Sequence, residues 1–176
     1  FTKPKGNGYS LGACILNPGS KGTVKLASSK PSISPSIDPN YLSDSDDLRR
    51  MLLDVRKAQD ICMSKAFQPY FKAHHIPSTF STDDQIHTDA IYKLSHTLYH
   101  PAGTCKMGND DMAVVNDKLM VHGVNNLRVV DASVMPNVTR GNTNAPTIMI
   151  AEKASVDILS KVEISSQQKQ KTVGIV

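Results

Sequence analysis

The stretch YHPAGTCKMG, residues 99–108, is the most informative segment of the sequence, and the other predicted elements are described relative to it. Pro101 directly after His100 favours an extended backbone at the histidine, and Gly103 then lets the chain turn sharply. Such a loop directs one imidazole towards a pocket. Histidine has an unperturbed pKa of about 6.5, which suits proton transfer near neutral pH. A lone histidine is also common as a structural residue, so this loop alone leaves both interpretations open.

Cys105, five positions after the histidine, suggests two further sites, a thiol nucleophile paired with His100 or a metal site that includes His96. Neither is well supported. A cysteine nucleophile needs its base to approach in the folded chain, which spacing does not show. The three residues also lack a second ligand pair at a familiar spacing, so we expect no metal.

Downstream, GNTNAPTIMIAEKAS at residues 141–155 marks the start of a helix that the apolar spacing predicts over 145–159. Pro146 is tolerated in a first helical turn. A helix start offers free amides and a partial positive charge, which hold an anion or stabilise negative charge on a cofactor. Ordinary capping by Asn144 is the alternative interpretation.

Upstream of the loop, two helices are predicted. Apolar residues recur every three or four positions over 46–63, and Ser43 or Ser45 is the expected cap. A second helix is predicted from 82 to 95, after a breaker at Pro77.

The predicted strands are short. Residues 11–15 and 23–26 are predicted to form a hairpin across the turn at 17–20. Residues 28–41, rich in serine and proline, are typical of an irregular loop or a linker. A further strand is predicted at 127–130, whose sequence is LRVV.

Composition excludes several classes of function. The 176 residues are 39% hydrophobic with a net charge of +4, and the basic residues are dispersed, so we expect a folded chain and no nucleic-acid partner. No apolar run approaches the roughly 20 residues needed for a transmembrane segment. The three cysteines form no recognisable disulfide framework, so they do not indicate a cellular location, which stays open. A first residue other than Met suggests a fragment.

Three motifs in order carry a family resemblance: YHPAGTCKMG, then VHGVNNLRVVDASVMP, then GNTNAPTIMIAEKA. Together they resemble the end of glucose-methanol-choline (GMC) oxidoreductases, especially the choline-dehydrogenase-like and insect glucose-dehydrogenase-like branches. The segments GSKGTVKLAS and IDPNYLSDSDDLRRMLLDVRKAQDI resemble the family's substrate domain. The resemblance covers roughly residues 10–160.

The resemblance implies FAD-dependent oxidation of an alcohol. His100 matches the family's active-site histidine, which accepts the alcohol proton while a hydride leaves the carbon. Asn142 matches the position of a second histidine or an asparagine that hydrogen-bonds the substrate oxygen. The positions matched near the flavin phosphate and ribitol are Asp131 and Ala132. Those matched beside the flavin pyrimidine ring are Asn144, Ala145 and Thr147.

The resemblance also predicts an α+β fragment. Residues 1–98 would be part of a substrate-binding domain with an antiparallel sheet and helices. Residues 99–160 would carry the active-site loop and the final strand and helix of an FAD-binding α/β domain, followed by a polar tail at 161–176 that frays. The family's GxGxxG fingerprint is not in these residues, so an amino-terminal half would be the main partner. The alternative is a truncated, non-catalytic chain that acts as a binding or interaction module.

Overall fold

The computed structural model describes residues 6–75 and 82–173, with side chains up to residue 160. The chain divides into unit 1, Phe1–Leu98, and unit 2, Tyr99–Val176. The described residues form three α-helices, two short 3-10 helices and one two-stranded antiparallel sheet. The chain is therefore a small α+β structure, as the sequence predicts.

Helix α1 of unit 1, Ser45–Cys62, follows the three- and four-residue spacing of its apolar side chains, and those in the repeat from Leu48 to Cys62 that the sequence predicts are partly buried. Its cap is neither Ser43 nor Ser45. Asp44 accepts a hydrogen bond from the amide of Asp46 at 2.9 Å. A carboxylate at this position pairs a first-turn amide and also complements the positive end of the helix dipole, which explains why it takes the place of a hydroxyl.

The buried carboxylate of Asp47, in the first turn of α1, ties the preceding turn to the helix. It accepts hydrogen bonds from the amides of Gly19 at 2.9 Å and Ser20 at 2.8 Å, and from the Ser20 hydroxyl at 2.6 Å. The Arg50 guanidinium lies 3.5 Å away. Burial acts to raise the pKa of Asp47, but these hydrogen bonds and the arginine together hold that pKa below its ordinary value. The turn at 17–20 therefore closes on α1.

The sheet pairs strand β1, Thr23–Lys25, antiparallel with strand β2, Ser36–Asp38. The strand predicted at 23–26 is thus confirmed, but its predicted partner at 11–15 is wrong. β2 lies instead inside residues 28–41, which the composition predicts to be an irregular loop. Short exposed strands have weak local preferences, so the contacts of the folded chain decide which segments pair.

Helix α2, Asp84–Leu94, confirms the helix predicted from 82 to 95. An ion pair between Arg56 of α1 and Asp84 links the two helices of unit 1. The predicted breaker at Pro77 lies outside the described residues.

Unit 2 is organised around helix α3, Asn144–Val173. This helix packs against a 3-10 helix at Ala132–Val134 and against apolar residues of the preceding loops. The buried apolar side chains of this cluster are Val115, Leu119, Val134, Met135, Ile150 and Ala154. Ala102 and Met107 pack against the cluster, so the loop at residues 100–108 rests on the core of unit 2.

Two predictions for unit 2 are wrong: the end of helix α3 and the strand at 127–130. Helix α3 is predicted to end at residue 159, but its helical backbone continues to Val173. The predicted strand at 127–130 does not form within the described residues, where only Arg128 pairs, in a single antiparallel bridge with Met120. Residues 119–121 lie alongside this segment, but the two join by only two backbone hydrogen bonds, from the amide of Val121 to Leu127 and from the amide of Val129 to Leu119. This ladder is too short to count as a strand.

One face of α3 is apolar and exposed. Ile148 is 54% exposed, Val156 65% and Leu159 60%. Side chains of this size are normally buried when a helix lies in a core, so α3 presents apolar surface that no described residue covers. No described helix has both the length and the apolar character needed to cross a bilayer.

Candidate active site

The loop at residues 100–108 is fixed by backbone hydrogen bonds to the 3-10 helix at Ala132–Val134. The amide of Cys105 donates to the carbonyl of Ser133 at 3.0 Å, and the amide of Met107 donates to the carbonyl of Val134 at 2.8 Å. Gly103 has a φ of 89°, a left-handed conformation that glycine adopts without steric cost. This is the sharp turn that the sequence predicts, and it brings the first two motifs together.

His100 is half-buried, and its Nδ1 lies 3.1 Å from Oγ1 of Thr143. The two residues are 43 positions apart in the chain, so this hydrogen bond joins the loop to the residue just before α3. The other ring nitrogen, Nε2, has no hydrogen-bond partner in the part of the chain that the structure describes. One nitrogen is therefore anchored, and the other remains available to a substrate.

The amino-terminal end of α3 leaves backbone amides unpaired. The carbonyl of Thr143 accepts from the amide of Thr147 at 3.0 Å, which is the first bond of the helix. The amides of Asn144 and Ala145 have no acceptor among the described residues, and Pro146 has no amide hydrogen. Capping by Asn144 is wrong, because this residue already lies inside the helix. Two amides and a partial positive charge thus lie beside the histidine.

Asn142 and Thr147 flank this helix end. Asn142 is exposed directly before Thr143, and its side chain makes no hydrogen bond within the described residues. The structure therefore brings Asn142 and His100 to the same end of α3. The hydroxyl of Thr147 donates to the carbonyl of Thr143 at 2.6 Å, so this hydroxyl serves the helix itself.

Asp131 caps the 3-10 helix that begins at Ala132. Its Oδ1 accepts hydrogen bonds from the amide of Ser133, at 2.8 Å, and from the hydroxyl of the same serine. Its Oδ2 and the amide of Ala132 have no partner within residues 6–75 and 82–173. Asp131 is exposed, so one carboxylate oxygen remains free for a hydroxyl group of a ligand.

Thr143 is the residue that sequence reasoning missed. A threonine just before a helix is typical of a cap, so its position in GNTNAP marks it as a residue with a structural role. Nothing in the sequence indicates that its hydroxyl would bind a histidine 43 positions away.

The proposed thiol and metal sites gain no support. Cys105 is half-buried, and no hydrogen bond joins its thiol to His100 in the described structure. Among the described residues, no group of three or more histidine, cysteine, aspartate or glutamate side chains is arranged to hold a metal ion.

An ion pair at the carboxyl end of the loop lies on the surface. Lys106 Nζ is 2.6 Å from Asp110 Oδ2. The hydrogen bond from Lys106 and that from the amide of Met112 lower the pKa of the Asp110 carboxyl. Exposed pairs of this kind contribute little stability, so we assign it no role in the chemistry.

A family model for GMC oxidoreductase matches residues 18–151, which is most of the chain. This chain belongs to the GMC oxidoreductase family. Alcohol dehydrogenase [acceptor] of Pseudomonas putida is 46% identical to it over 162 residues, which cover 92% of this chain and 29% of that protein. Oxygen-dependent choline dehydrogenase of Proteus mirabilis is 41% identical over 149 residues, which cover 84% of this chain and 26% of that protein.

A solved structure supports the same assignment. The FAD-dependent oxidoreductase from Chaetomium thermophilum matches with a TM-score of 0.77 and 28% sequence identity, over 84% of this chain and 26% of that one. The resemblance stated from the three motifs is thus confirmed. The chain spans less than a third of the length of each of these relatives.

Proposed function

We propose that these residues are the carboxy-terminal part of an FAD-dependent enzyme that oxidises an alcohol. The longer protein is called the parent protein below. The observation that carries the proposal is the hydrogen bond from the loop histidine to the start of α3, because it unites His100, Asn142 and the two unpaired amides at one place. The names of the relatives, an alcohol dehydrogenase and a choline dehydrogenase, support an alcohol as the substrate.

The described residues fit FAD at two points. The unpaired amides of Asn144 and Ala145, with the helix dipole behind them, favour negative charge on a flavin ring. The free Oδ2 of Asp131 and the unpaired amide of Ala132 suit the hydroxyl and phosphate groups of the flavin side chain. Thr147 contributes by holding the helix end, since its hydroxyl bonds the carbonyl before α3.

FAD, when bound, supplies the acceptor for the hydride that leaves the alcohol carbon. His100 takes the hydroxyl proton on Nε2, while its Nδ1 stays bound to Thr143. Asn142 donates its amide hydrogen to the substrate oxygen and does not act as a base. With FAD held there, the alcohol would lose its hydroxyl proton to Nε2 of His100 and the hydride from its carbon, and would become a carbonyl compound.

The two units suit different domains of the parent protein. We assign residues 1–98, with the β1–β2 sheet and helices α1 and α2, to the substrate-binding domain. Residues 99–160 would complete the FAD-binding domain. There, the strand sequence at 127–130 would gain a partner along its full length, and the exposed face of α3 would be covered. The helical residues that follow would lie at the edge of that domain.

The proposed function is tested by assaying the parent protein with a panel of alcohols. We expect reduction of an artificial electron-accepting dye, or consumption of oxygen, together with formation of the matching aldehyde or ketone. The control is the set of aldehydes that correspond to these alcohols. They should not be oxidised, because the hydride must leave a carbon that bears a hydroxyl. No turnover with any alcohol, in a preparation that contains bound FAD, would contradict the proposal.

The alternative function, a non-catalytic binding module, is separated from the first by an absorption spectrum. We expect the isolated chain to purify without stoichiometric flavin, because the glycine-rich phosphate-binding segment is not among its residues. The parent protein, purified in the same way, should show the visible bands of bound flavin. A flavin-free parent protein would favour the module, and flavin in both preparations would show that the phosphate-binding segment is dispensable.

A further inference from the structure

The hydroxyl of Thr143 has an unusual hydrogen-bond partner. The residue is only 8% exposed, and it directly precedes α3. A threonine at this position normally uses its oxygen to accept a hydrogen bond from an amide of the first helical turn. Here the described structure records no such bond, although the amide of Ala145 is unpaired. The oxygen lies instead 3.1 Å from Nδ1 of His100.

The backbone of Thr143 is held from two sides. Its carbonyl accepts from the amide of Thr147 at 3.0 Å and from the hydroxyl of the same residue at 2.6 Å. Because both donors belong to the first turn of α3, the threonine has a fixed position relative to the helix. Its side chain is therefore a rigid support for the imidazole, not an incidental surface contact.

We propose that Thr143 is a positioning residue that fixes both the orientation and the tautomer of His100. This inference rests on the proposed function. A neutral imidazole carries its hydrogen on one nitrogen only, and a base that acts through Nε2 must carry it on Nδ1. Oγ1 of Thr143 accepts that hydrogen, which leaves the Nε2 lone pair directed at the substrate. The partner of the remote nitrogen commonly selects the tautomer of a functional histidine in this way.

The hydroxyl of Thr143 can either donate or accept, so its own hydrogen must be directed elsewhere for this tautomer to persist. The carbonyl of Thr143 is already engaged by Thr147, which leaves the hydroxyl hydrogen free to turn towards bound substrate or solvent. The arrangement therefore permits Nδ1–H to donate without competition from a second N–H donor. Serine preserves this acceptor, whereas valine has nearly the same shape and removes it.

The test compares Thr143→Val with Thr143→Ser in the parent protein, with Thr139→Val as the matched control. Thr139 is a nearby threonine whose hydroxyl donates to the carbonyl of Gly141 and, within the described residues, bonds no other group. We expect Thr143→Val to lower the rate constant of flavin reduction at saturating alcohol by about 10- to 100-fold, the range typical when the partner that orients a metal-bound histidine is lost. The dissociation constant of the alcohol should change little, and Thr143→Ser should restore most of the rate.

If Thr143 had only a structural role, its variants would show a different combination of rate, flavin content and stability. In that case Thr143→Val would lower flavin content and the midpoint of thermal unfolding, and the remaining flavin-loaded enzyme would react at the parental rate. That result would overturn the inference, as would a serine variant as slow as the valine variant. Failure of the proposed function is recognised separately, because no alcohol would then reduce the bound flavin in the unsubstituted parent protein.

Discussion

Replacement of His100 by Gln in the parent protein is expected to lower the rate constant of flavin reduction by about two to four orders of magnitude. Loss of a positioned general base usually costs this much. Glutamine keeps a polar side chain of similar reach but cannot accept the alcohol proton at neutral pH. The measurement is anaerobic stopped-flow absorbance of the bound flavin at saturating alcohol. FAD content should be unchanged.

His122→Gln provides the matched control for this prediction. His122 lies in the same unit and is exposed, and its Nε2 lies 3.0 Å from the carbonyl of Gly108. Its replacement should leave the rate of flavin reduction near that of the parent protein. If His100→Gln and His122→Gln give the same rate, proton abstraction belongs to another residue.

Replacement of Asp47 by Ala is expected to cost about 3 kcal/mol of local stability in unit 1. The buried carboxylate pairs two amides and the hydroxyl of Ser20, and its loss leaves these groups without acceptors and Arg50 without its partner. Hydrogen–deuterium exchange of Gly19 and Ser20 measures the effect directly, because their amides should exchange about 100-fold faster, the factor that about 3 kcal/mol corresponds to. The midpoint of thermal unfolding should also fall.

Asp46→Ala is the control for that stability prediction. Asp46 is the neighbouring acid and pairs with Arg49, but both side chains are more than half exposed. An exposed pair of this kind contributes about 0 to 1 kcal/mol, so the exchange of the Gly19 and Ser20 amides should barely change. Equal effects of the two alanine variants would contradict the assignment of Asp47 as the anchor.

Because the pKa of Asp47 is lowered, the stability that this carboxylate gives to the turn at 17–20 should depend on pH. The ordinary value is 3.8, and the hydrogen bonds and Arg50 hold the folded value below it. The carboxylate therefore stabilises the fold fully at pH values above 3.8. This contribution is lost as the pH falls through the lower, folded pKa. The protection of the Gly19 and Ser20 amides, relative to the intrinsic exchange rate at each pH, should thus be lost in the parent protein only in acid, and should be low at all pH values in Asp47→Ala.

The sequence predicts the helices well because their signals are local. The apolar repeat of α1 spans about five turns, and the start of α3 is marked by Asn, Pro and the following apolar residues. The caps are less predictable. Asp44 and two serines are all competent to cap α1, and the choice depends on how the preceding turn packs.

Pairing across the sheet is harder to predict for a physical reason. Residues 23–25 need a partner, but both 11–15 and 36–38 offer a short segment able to adopt the extended form. The turn at 17–20 decides between them, because Asp47 draws that turn onto α1. A contact between positions 27 residues apart carries no signature in local composition.

The candidate site shows the same division between local and distant signals. The loop of His100 and the start of α3 are each recognisable from their own residues, and their order identifies the family. The hydrogen bond from His100 to Thr143 is not recognisable, because it depends on how the loop rests on the core of unit 2. The residue that completes the site is therefore the one that only the folded chain reveals.

The most direct test of the central claim is a single turnover of the parent protein with an alcohol deuterated at the carbon that bears the hydroxyl. The two reactants are mixed without oxygen while the absorbance of the bound flavin is followed. We predict that the alcohol bleaches the flavin and that deuteration slows the bleaching, because a hydride leaves that carbon. Oxidised flavin that persists with every alcohol tested would contradict the account.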